Sequence, residues 1–315
     1  MSTGASPSNT ASDDSTSRSR ALLIVNPVAR RSKRAREEAL RAFERNRVTC
    51  DALDTRAPGH ATQLAREHAP PYDFVFALGG DGTAMEVITA LADGGPPVGI
   101  LPGGTGNVLV RSLGIPIRIG TAVSVLVHGD EARIDLGRLQ DGRHFAIGLG
   151  VGIDEAMIAG ASPLMKKWVG FLAYFWSAIK AGIHLERFQV RLTVDGIVHE
   201  REAASVLIAN LGSVLGGLIR FGDGILHDDG VLHACVYSPR NLWDAIRIFV
   251  RMLRGTVQRD RCAFCVSGTH IRLETNPPRR AQADGELLEM TPIEITVRPQ
   301  AARLLIPRLR GRSSS

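Results

Sequence analysis

The sequence predicts a two-domain fold, with an α/β domain first and an antiparallel β-sandwich second. In the first domain a parallel sheet is covered by helices on both faces, because short apolar strands alternate with helices up to about residue 132. Beyond about residue 133, strand-like runs become frequent, as in a sandwich. The chain has 315 residues and is 44% hydrophobic, which is enough material for two domain cores.

Apolar runs and helix-like segments alternate along the first part of the chain. The first strand ends in Asn26-Pro27, and glycine-rich loops follow the third and fourth strands. Ligands on parallel sheets bind beyond the carboxyl ends of the strands, so both loops lie where a site is expected. The predicted strands cover 21–25, 48–53, 73–78 and 98–101, and the predicted helices cover 32–46, a segment beginning at Gly59, 83–92, 106–113 and 118–128.

The second part has the pattern of an antiparallel sandwich with two helical segments. Asp195-Gly196 between two alternating runs is a typical hairpin turn. Residues 163–183, rich in aromatics, are expected to pack on the sandwich, with a lipid-cleft wall or interfacial anchor as the alternative. Residues 240–254 predict an ordinary amphipathic helix, whose apolar face holds Leu242, Ile246, Phe249 and Leu253. The predicted strands cover 133–139, 144–150, 187–194, 197–209, 231–237, 262–267, 269–275, 293–298 and 303–306.

The two glycine-rich loops carry the strongest chemical signal in the chain. They are residues 79–83, with the sequence GGDGT, and residues 103–107, with the sequence GGTGN. Glycine lets backbone N–H groups converge on an anion, and the following helix adds its positive end, so the pair predicts one polyphosphate site. The loops lack the lysine of a P-loop, and Met85 stands where the dinucleotide fingerprint needs its third glycine. Either loop alone is equally compatible with a simple tight turn.

Composition restricts the partners and the compartment. The formal net charge is +6 and the pI is about 9.5, which favours anionic partners, and no nucleic-acid-binding signature is present. Four cysteines favour a reduced compartment, and the C-x-x-C spacing of Cys262 and Cys265 is interpreted as core packing rather than as a metal or redox site. We expect no signal peptide and no spanning helix, since no run approaches ~20 apolar residues.

The loops belong to a series of motifs that runs in order from about residue 21 to 306. The other members are Asn26-Pro27, Thr55 before the PGHA of residues 58–61, LHDDGVL at 226–232, and Asp284-Gly285-Glu286. This series resembles the diacylglycerol kinase catalytic family, the bacterial lipid kinases related to sphingosine and ceramide kinases. One departure is Val108, where many members carry Asp. The resemblance implies a first domain like that of NAD kinase and phosphofructokinase relatives, with residues 299–308 packing back on it. With the change of pattern near residue 133, the predicted domains are a nucleotide-binding α/β domain (21–132, with 299–308) and a β-sandwich lipid-substrate domain (133–298). Composition predicts a disordered tail at 1–20 and a disordered basic tail at 309–315.

The resemblance also implies roles for the carboxylates and the loops. Glu286 corresponds to the catalytic base that takes a proton from the lipid hydroxyl, and Asp284 assists it or binds metal. On pattern alone, this Asp-Gly-Glu run is a hairpin turn, and Asp81 is a helix cap or an alternative base. Glu86 reaches the site or is simply a good helix former. The implied nucleotide contacts are Asn26, Thr55, Gly79, Gly80, Asp81, Gly82, Thr83, Ala84, Met85, Gly104, Thr105, Gly106 and Asn107.

Two further sites follow from the resemblance. A structural Mg²⁺ is implied at Leu226, Asp229 and Val231, through one carboxylate and two backbone carbonyl groups, and Asp81 is implied at the Mg²⁺ of the nucleotide. A polar turn is the alternative for the first of these. Asp154 is implied at the lipid head group, with helix capping as the alternative.

Together these features predict an ATP- and Mg²⁺-dependent kinase for a hydroxyl of a membrane lipid, with diacylglycerol as the favoured substrate. The alternatives are an NAD kinase, which shares the GGDGT loop, and a nucleotide-binding regulator without turnover. The expected partners are the lipid substrate and an anionic membrane surface, bound reversibly from the cytoplasm, and no nucleic acid. A homodimer is left open. The predicted membrane contacts are the basic residues of 30–36, the aromatic segment with Trp168 and Trp176, and the arginines Arg303, Arg308, Arg310 and Arg312.

Overall fold

The computed structural model of the protein describes residues 18–28, 32–152, 186–214, 218–222 and 225–308. Asp154, the segment 163–183 and most of both terminal tails therefore lie outside the described residues. In chain order the first half contains β1 (Arg20–Val25), α1 (Ser32–Arg45), β2 (Thr49–Asp54), α2 (His60–His68), β3 (Phe74–Gly79), α3 (Asp81–Ala90), β4 (Val98–Pro102), α4 (Val108–Ser112) and α5 (Ile119–Val127).

The first four strands form a parallel sheet in the order β2-β1-β3-β4. Parallel strands with helices on both faces are buried on both sides, which is why the sequence shows continuous apolar runs here. Residues 21–25 and 75–79 are buried without interruption. Since β3 and β4 are neighbours and run in the same direction, the loops that follow them emerge at the same edge of the sheet.

The second half is mainly antiparallel. Its elements are β5 (Asp130–Leu139), β6 (His144–Phe145), β7 (Gly148–Val151), β8 (Phe188–Val194), β9 (Ile197–Ala203), β10 (Ser205–Ala209), β11 (Ser213–Val214), β12 (Ile219–Arg220), β13 (Leu232–Tyr237), α6 (Leu242–Arg254), β14 (Ala263–Gly268), β15 (His270–Asn276), β16 (Arg280–Ala283), β17 (Glu286–Met290) and β18 (Ile293–Ile306). One sheet has the order β14-β13-β10-β7-β16-β17, and it packs on β15 and β8 of the other through a second apolar core. The predicted fold class, α/β followed by an antiparallel sandwich, is confirmed.

The long strand β18 joins the two halves. The sequence predicted two strands, 293–298 and 303–306, whereas the structure has one strand with a register shift against β5 between Arg298 and Ala302. Gln300 has a positive φ of 50° at this irregularity, which explains the break in the pattern. Beyond it, Leu304 pairs with Val98 of β4 in parallel, so the main sheet continues from the α/β domain into the sandwich.

The predicted strand 197–209 is two strands. β9 pairs with β8 in the main sheet, and β10 pairs with β7 and β13 in the other sheet. The chain changes sheets at Ala204, a residue that is only 1% exposed, so burial alone does not reveal the change. The hairpin turn at Asp195-Gly196 is confirmed, with φ values of 47° and 85°.

Helix α6 packs through a different side from the apolar face that the sequence predicted. The buried side chains are those of Asp244, Ala245, Ile248 and Met252. Leu242 and Leu253, which the sequence placed on the apolar face of an ordinary amphipathic helix, are 41% and 39% exposed. Periodicity identifies an apolar side but not the side that packs, and here the packed side carries an aspartate that Arg247 neutralises at 2.6 Å.

One cysteine assignment is wrong. Cys235 and Cys265 face each other on β13 and β14 and form a disulfide bond, with Cα atoms 4.1 Å apart. The sequence favoured reduced cysteines and simple packing of Cys265, because its true partner lies 30 residues upstream and the C-x-x-C spacing points to Cys262. Cys262 is buried and free. Burial raises the pKa of the other free thiol, Cys50, to about 12.

Among the residues that the structure describes, no helix is both long and apolar enough to cross a bilayer.

Candidate active site

The two glycine loops touch each other. The N–H of Gly103 donates to the carbonyl of Gly79 at 2.9 Å. A Cβ atom on Gly104 would lie 2.6 Å from the Cα of Gly80, a distance that side chains do not tolerate. Glycine is therefore required by this backbone contact, and the loops form one continuous surface at the carboxyl ends of β3 and β4.

Asp81 connects the two helices that follow the loops. It lies in the first turn of α3, and its carboxylate accepts a hydrogen bond from the N–H of Leu109 in α4 at 3.0 Å. Asn107 closes the second loop, because its side chain both accepts from Gly104 N and donates to Gly104 O, each at 3.0 Å. Its φ of 48° is one that asparagine tolerates better than most residues. The starts of both helices consequently face the same space.

The remaining predicted nucleotide contacts surround this surface. Asn26 donates to the hydroxyl of Thr83 at 3.1 Å, which ties the end of β1 to α3. The N–H of Thr55 donates to the carbonyl of Val25 at 2.8 Å, so Thr55 lies beside the same strand end. Thr105 is exposed at the tip of the second loop. Gly79, Thr83 and Ala84 are buried, and Gly80, Asp81, Gly82, Met85, Gly104 and Gly106 are partly exposed.

Glu86 is engaged by the start of a neighbouring helix. Its carboxylate accepts hydrogen bonds from the N–H groups of Gly59 and Ala61 at 2.9 and 3.0 Å, at the start of α2. It therefore caps a neighbouring helix. This contact removes it from the candidate catalytic groups.

The Asp-Gly-Glu run is both a hairpin turn and part of the site. Asp284 and Gly285 have φ values of 48° and 92° and connect β16 to β17. The turn carries Glu286 to the start of α3, where a Cβ atom on Gly82 would lie 2.7 Å from Glu286 Oε1. Residues more than 200 positions apart in the sequence are thus in contact, and the absence of a side chain at Gly82 makes room for the carboxylate.

Asp284 holds the backbone beside this turn. Its carboxylate accepts three hydrogen bonds, from Ala146 N at 2.7 Å and from Ile147 N and Gly148 N at 3.0 Å. Burial, opposed by these three hydrogen bonds, raises the pKa of Asp284 to about 6, and the negative charge of Asp81 adds to the rise. The contribution of Asp81 indicates that the two carboxylates are close enough to interact.

The predicted magnesium loop is organised around Asp229. Its carboxylate accepts from Val231 N at 3.2 Å, from Leu226 N at 3.4 Å and from His233 Nε2 at 3.0 Å. The two residues predicted to offer carbonyl groups are therefore held next to the carboxylate, and oxygen donors suit a hard cation. The donor set fits Mg²⁺ in kind. Within the described residues, no group of three or more His, Cys, Asp or Glu side chains could hold a metal ion.

Sequence reasoning missed two buried residues behind the site. Asp135 is fully buried, and its carboxylate accepts from Gly230 N and Gln300 N, both at 2.7 Å. Asn210, also fully buried, donates to the carbonyls of Asp135 and Ala146 at 2.7 and 2.8 Å. These bonds link the loop of Asp229 and the bulge of β18 to the backbone that Asp284 holds. Both residues lie in strand-like runs with no motif, and a polar residue inside an apolar run is their one sequence signal.

Comparisons with known proteins agree with this arrangement. Residues 20–139 match the model of the diacylglycerol kinase catalytic domain, and residues 148–306 match that of the YegS C-terminal NAD kinase beta sandwich-like domain. A diacylglycerol kinase of Bacillus subtilis is 29% identical over 87% of this chain and 92% of its own length. One of Staphylococcus saprophyticus is 31% identical over 85% and 89%, respectively.

The solved structures give the same result. The crystal structure of a diacylglycerol kinase from Bacillus anthracis superimposes with a TM-score of 0.76 at 27% identity, and covers 92% of this chain and 98% of the other. The two matched family models and the superposition together cover both domains. The chain therefore belongs to the diacylglycerol kinase family of lipid kinases.

Proposed function

We propose that this protein transfers the γ-phosphoryl group of ATP, with Mg²⁺, to a hydroxyl of a membrane lipid, and that the lipid is diacylglycerol. The observation that carries the proposal is the contact between Glu286 and the GGDGT loop. Phosphoryl transfer needs a proton acceptor beside the place where the phosphate is held. Glu286 Oε1 lies 2.7 Å from the Cβ position of Gly82, at the positive end of α3.

Each group then has a role. The N–H groups of the two glycine loops would bind the phosphates of the nucleotide. Glu286 would accept the proton of the lipid hydroxyl while the hydroxyl oxygen forms a bond to the γ-phosphorus. The bond from that phosphorus to the β–γ bridging oxygen breaks at the same time. ADP leaves with the electron pair of that bond, and the proton passes from Glu286 to solvent. Asp284 would hold the backbone of residues 146–148 against the turn.

Metal binding is proposed at two places. Asp81 would hold the Mg²⁺ that accompanies the nucleotide, which neutralises charge on the phosphoryl oxygens when bound. Asp229, with the carbonyl groups of Leu226 and Val231, would hold a structural Mg²⁺. The convergence of Leu226 N and Val231 N on the Asp229 carboxylate supports the second site.

An interdomain cavity supports a lipid as the acceptor. It has a volume of about 510 Å³ and lies between the end of α4 and strands β5 and β18. Its lining is mainly apolar, and its polar side chains are those of Ser112, Ser213, Arg220 and His227. Such a lining suits an amphipathic ligand better than a free nucleotide. The apolar lining residues are Leu113, Ala132, Ile134, Leu211, Ile225, Ile306 and Pro307.

One assay tests the proposal. The full chain is incubated with radiolabelled ATP and Mg²⁺ and with diacylglycerol, monoacylglycerol, ceramide or sphingosine in detergent micelles, and with NAD in parallel. We expect label in the diacylglycerol product, and a dependence on Mg²⁺. Label in NADP would favour the NAD kinase alternative. Nucleotide binding without transfer to any acceptor would favour a regulator. Either result would overturn the proposal.

A further inference from the structure

Helix α6 presents an apolar stripe to solvent. At 100° per residue, Leu242, Trp243, Ile246, Val250 and Leu253 project within about one third of the helix circumference. The buried residues of α6 lie on the opposite side. Trp243 is 76% exposed, and Leu242 and Leu253 are each about 40% exposed. A soluble helix normally turns such a stripe toward the core, so its exposure here calls for a partner.

A row of arginines borders this apolar stripe. Arg247, Arg251 and Arg254 lie on the helix between the apolar stripe and the buried side, by the same rotation of 100° per residue. With Arg259 they line a surface cavity of about 550 Å³, which we call the arginine cavity. Val250 of the apolar stripe and Thr256 complete its lining. Apolar and cationic groups therefore adjoin each other at one place on the surface.

The segment that contains α6 is rich in arginine. Residues 240–261 contain six arginines and two aspartates, a net charge of +4 out of +6 for the entire chain. Asp260 is fully buried and pairs with Arg247 and Arg251 at 2.8 and 3.0 Å, which fixes both guanidinium groups at the cavity. Within the described residues, Arg254 has no carboxylate partner. The cavity is thus held in shape and retains cationic charge for an anionic ligand.

We propose that α6 is a membrane-docking surface, with the apolar stripe inserted at the boundary of the acyl chains and the arginine cavity occupied by the phosphate of an anionic phospholipid. Helices that lie in a membrane interface combine these features: an apolar face with Trp and Leu, and cationic side chains along its border. Guanidinium groups suit phosphate oxygens because they offer paired donors in one plane. Charge complementarity favours an anionic bilayer as the partner of this surface, since the apolar groove of another protein would leave the arginines without anionic partners.

Docking through α6 places membrane contact at a different part of the chain from the one that the sequence predicted. The sequence predicted membrane contact at Trp168 and Trp176, which lie outside the described residues. The third tryptophan, Trp243, is described and is exposed. Docking through α6 would bring the sandwich domain to the surface in which a lipid substrate resides. In this respect the inference rests on the proposed function, but vesicle binding requires no turnover and can be measured independently.

Co-sedimentation with vesicles tests the surface. The full chain is mixed with phosphatidylcholine vesicles, with and without phosphatidylglycerol, at low and high salt. We expect binding only to the anionic vesicles, and loss of binding at high salt. Trp243→Ser, and separately Arg254→Gln, should each weaken binding by about fivefold, as expected for one interfacial aromatic or one cation near an anionic surface. Trp243 is exposed, so its replacement leaves the fold intact, which a thermal melt verifies.

Two matched controls separate this surface from general charge and apolarity. Ile197→Ser removes an apolar side chain that is 64% exposed on β9, and Arg66→Gln removes an exposed cation on α2. Both should bind vesicles like the unaltered chain. The proposal is overturned if the α6 variants bind normally, if the controls weaken binding equally, or if no vesicle is bound. Kinase activity in detergent micelles should be unchanged in the α6 variants, so failure of docking and failure of the proposed function give different results.

Discussion

Asp284 and Glu286 flank one glycine but have different surroundings. The Asp284 carboxylate is engaged by three backbone N–H groups, which leaves it little freedom to bind anything else. Glu286 is exposed and lies against the first turn of α3. The two carboxylates of this turn therefore have different roles. Asp284 positions the backbone of residues 146–148, and Glu286 faces the space where the phosphate would lie.

If Glu286 is the base, Glu286→Gln should lower kcat by ~10²–10⁴-fold, because the amide cannot accept the hydroxyl proton. The dissociation constant for Mg-ATP should change little, since the glycine loops are untouched. Initial rates and equilibrium nucleotide binding measure the two effects. Glu289→Gln, on the same strand and also exposed, is the matched control and should retain normal turnover. A Glu286→Gln enzyme with near-normal kcat would contradict the assignment.

The raised pKa of Asp284 makes stability depend on pH. Because this pKa is about 6 in the folded chain and lower in the unfolded chain, protonation favours the folded state. The contribution is fully present below about pH 4 and is lost as the pH rises through about 6. Relative to Asp284→Asn, the free energy of unfolding of the unaltered chain should fall by about 2 kcal/mol between about pH 4 and about pH 7, allowing for partial solvent exposure.

Urea denaturation of both proteins across this pH range measures the difference. A difference in free energy of unfolding that stays constant with pH reflects the hydrogen bonds lost in Asp284→Asn and says nothing about the pKa. Other titrating groups, such as His144, contribute equally to both proteins and cancel. Parallel pH profiles for the two proteins would contradict the pKa shift of Asp284.

Individual site residues were predictable where a motif marks them. Gly79, Gly82 and Gly104 stand out because each is required by a close contact, and a run of glycines is visible in sequence. Asp135 and Asn210 were not predictable as parts of the site, since their partners lie 64 to 165 positions away and a single polar residue between apolar neighbours does not identify those partners. Contact at this range is a property of the folded chain rather than of any local segment.

Among the loops, the one around Asp229 permits a direct test of metal binding. Mg²⁺ should raise the melting temperature of the unaltered chain, because an ion that binds the folded state alone stabilises it. Asp229→Asn removes the anionic ligand and should abolish this rise, and it should also lower the melting temperature without Mg²⁺, since the His233 contact weakens. Thermal melts with and without Mg²⁺ measure both effects.

The neighbouring carboxylate supplies the control for this test. Asp228 is exposed beside Asp229 in the same loop, and Asp228→Asn should preserve the response to Mg²⁺. A melt of the unaltered chain that is indifferent to Mg²⁺, together with an unchanged melt of Asp229→Asn, would count against a structural ion at this loop.

Strand and helix positions were largely predictable, but their partners were not. Residues 197–209 form an unbroken run of strand-compatible residues, and only tertiary packing divides them at Ala204 between two sheets. In α6, the two leucines of the predicted apolar face, Leu242 and Leu253, are exposed. The helix packs instead through Ala245, Ile248 and Met252. Local patterns report which backbone geometry is favoured, and the choice of neighbour depends on the rest of the chain.

The main sheet crosses the boundary between the two domains without a break. β18 pairs with β15 on the sandwich side and with β4 on the α/β side, and it pairs with β5 on both sides of the bulge. Asp135 stabilises β18 where it passes from one domain to the other, since its carboxylate accepts a hydrogen bond from the N–H of Gln300 at the bulge. The two domains therefore share one strand, whose two parts the sequence assigned to different domains, 293–298 to the sandwich and 299–308 to the α/β domain. We expect them to unfold cooperatively.

Leu304, in the shared strand, tests this cooperativity. Its side chain is fully buried and packs in the core of the α/β domain. Leu304→Ala should lower the free energy of unfolding by about 3 kcal/mol, because it leaves a cavity in a well-packed interior. Hydrogen exchange, followed by mass spectrometry, should show faster exchange in β3 and in β8 alike, as the sheet that contains both opens as a unit. Leu218→Ala, at a side chain that is 57% exposed, is the control and should change stability by less than about 0.5 kcal/mol. Faster exchange confined to β3 would mean that the α/β domain opens on its own and that β18 does not couple the two halves.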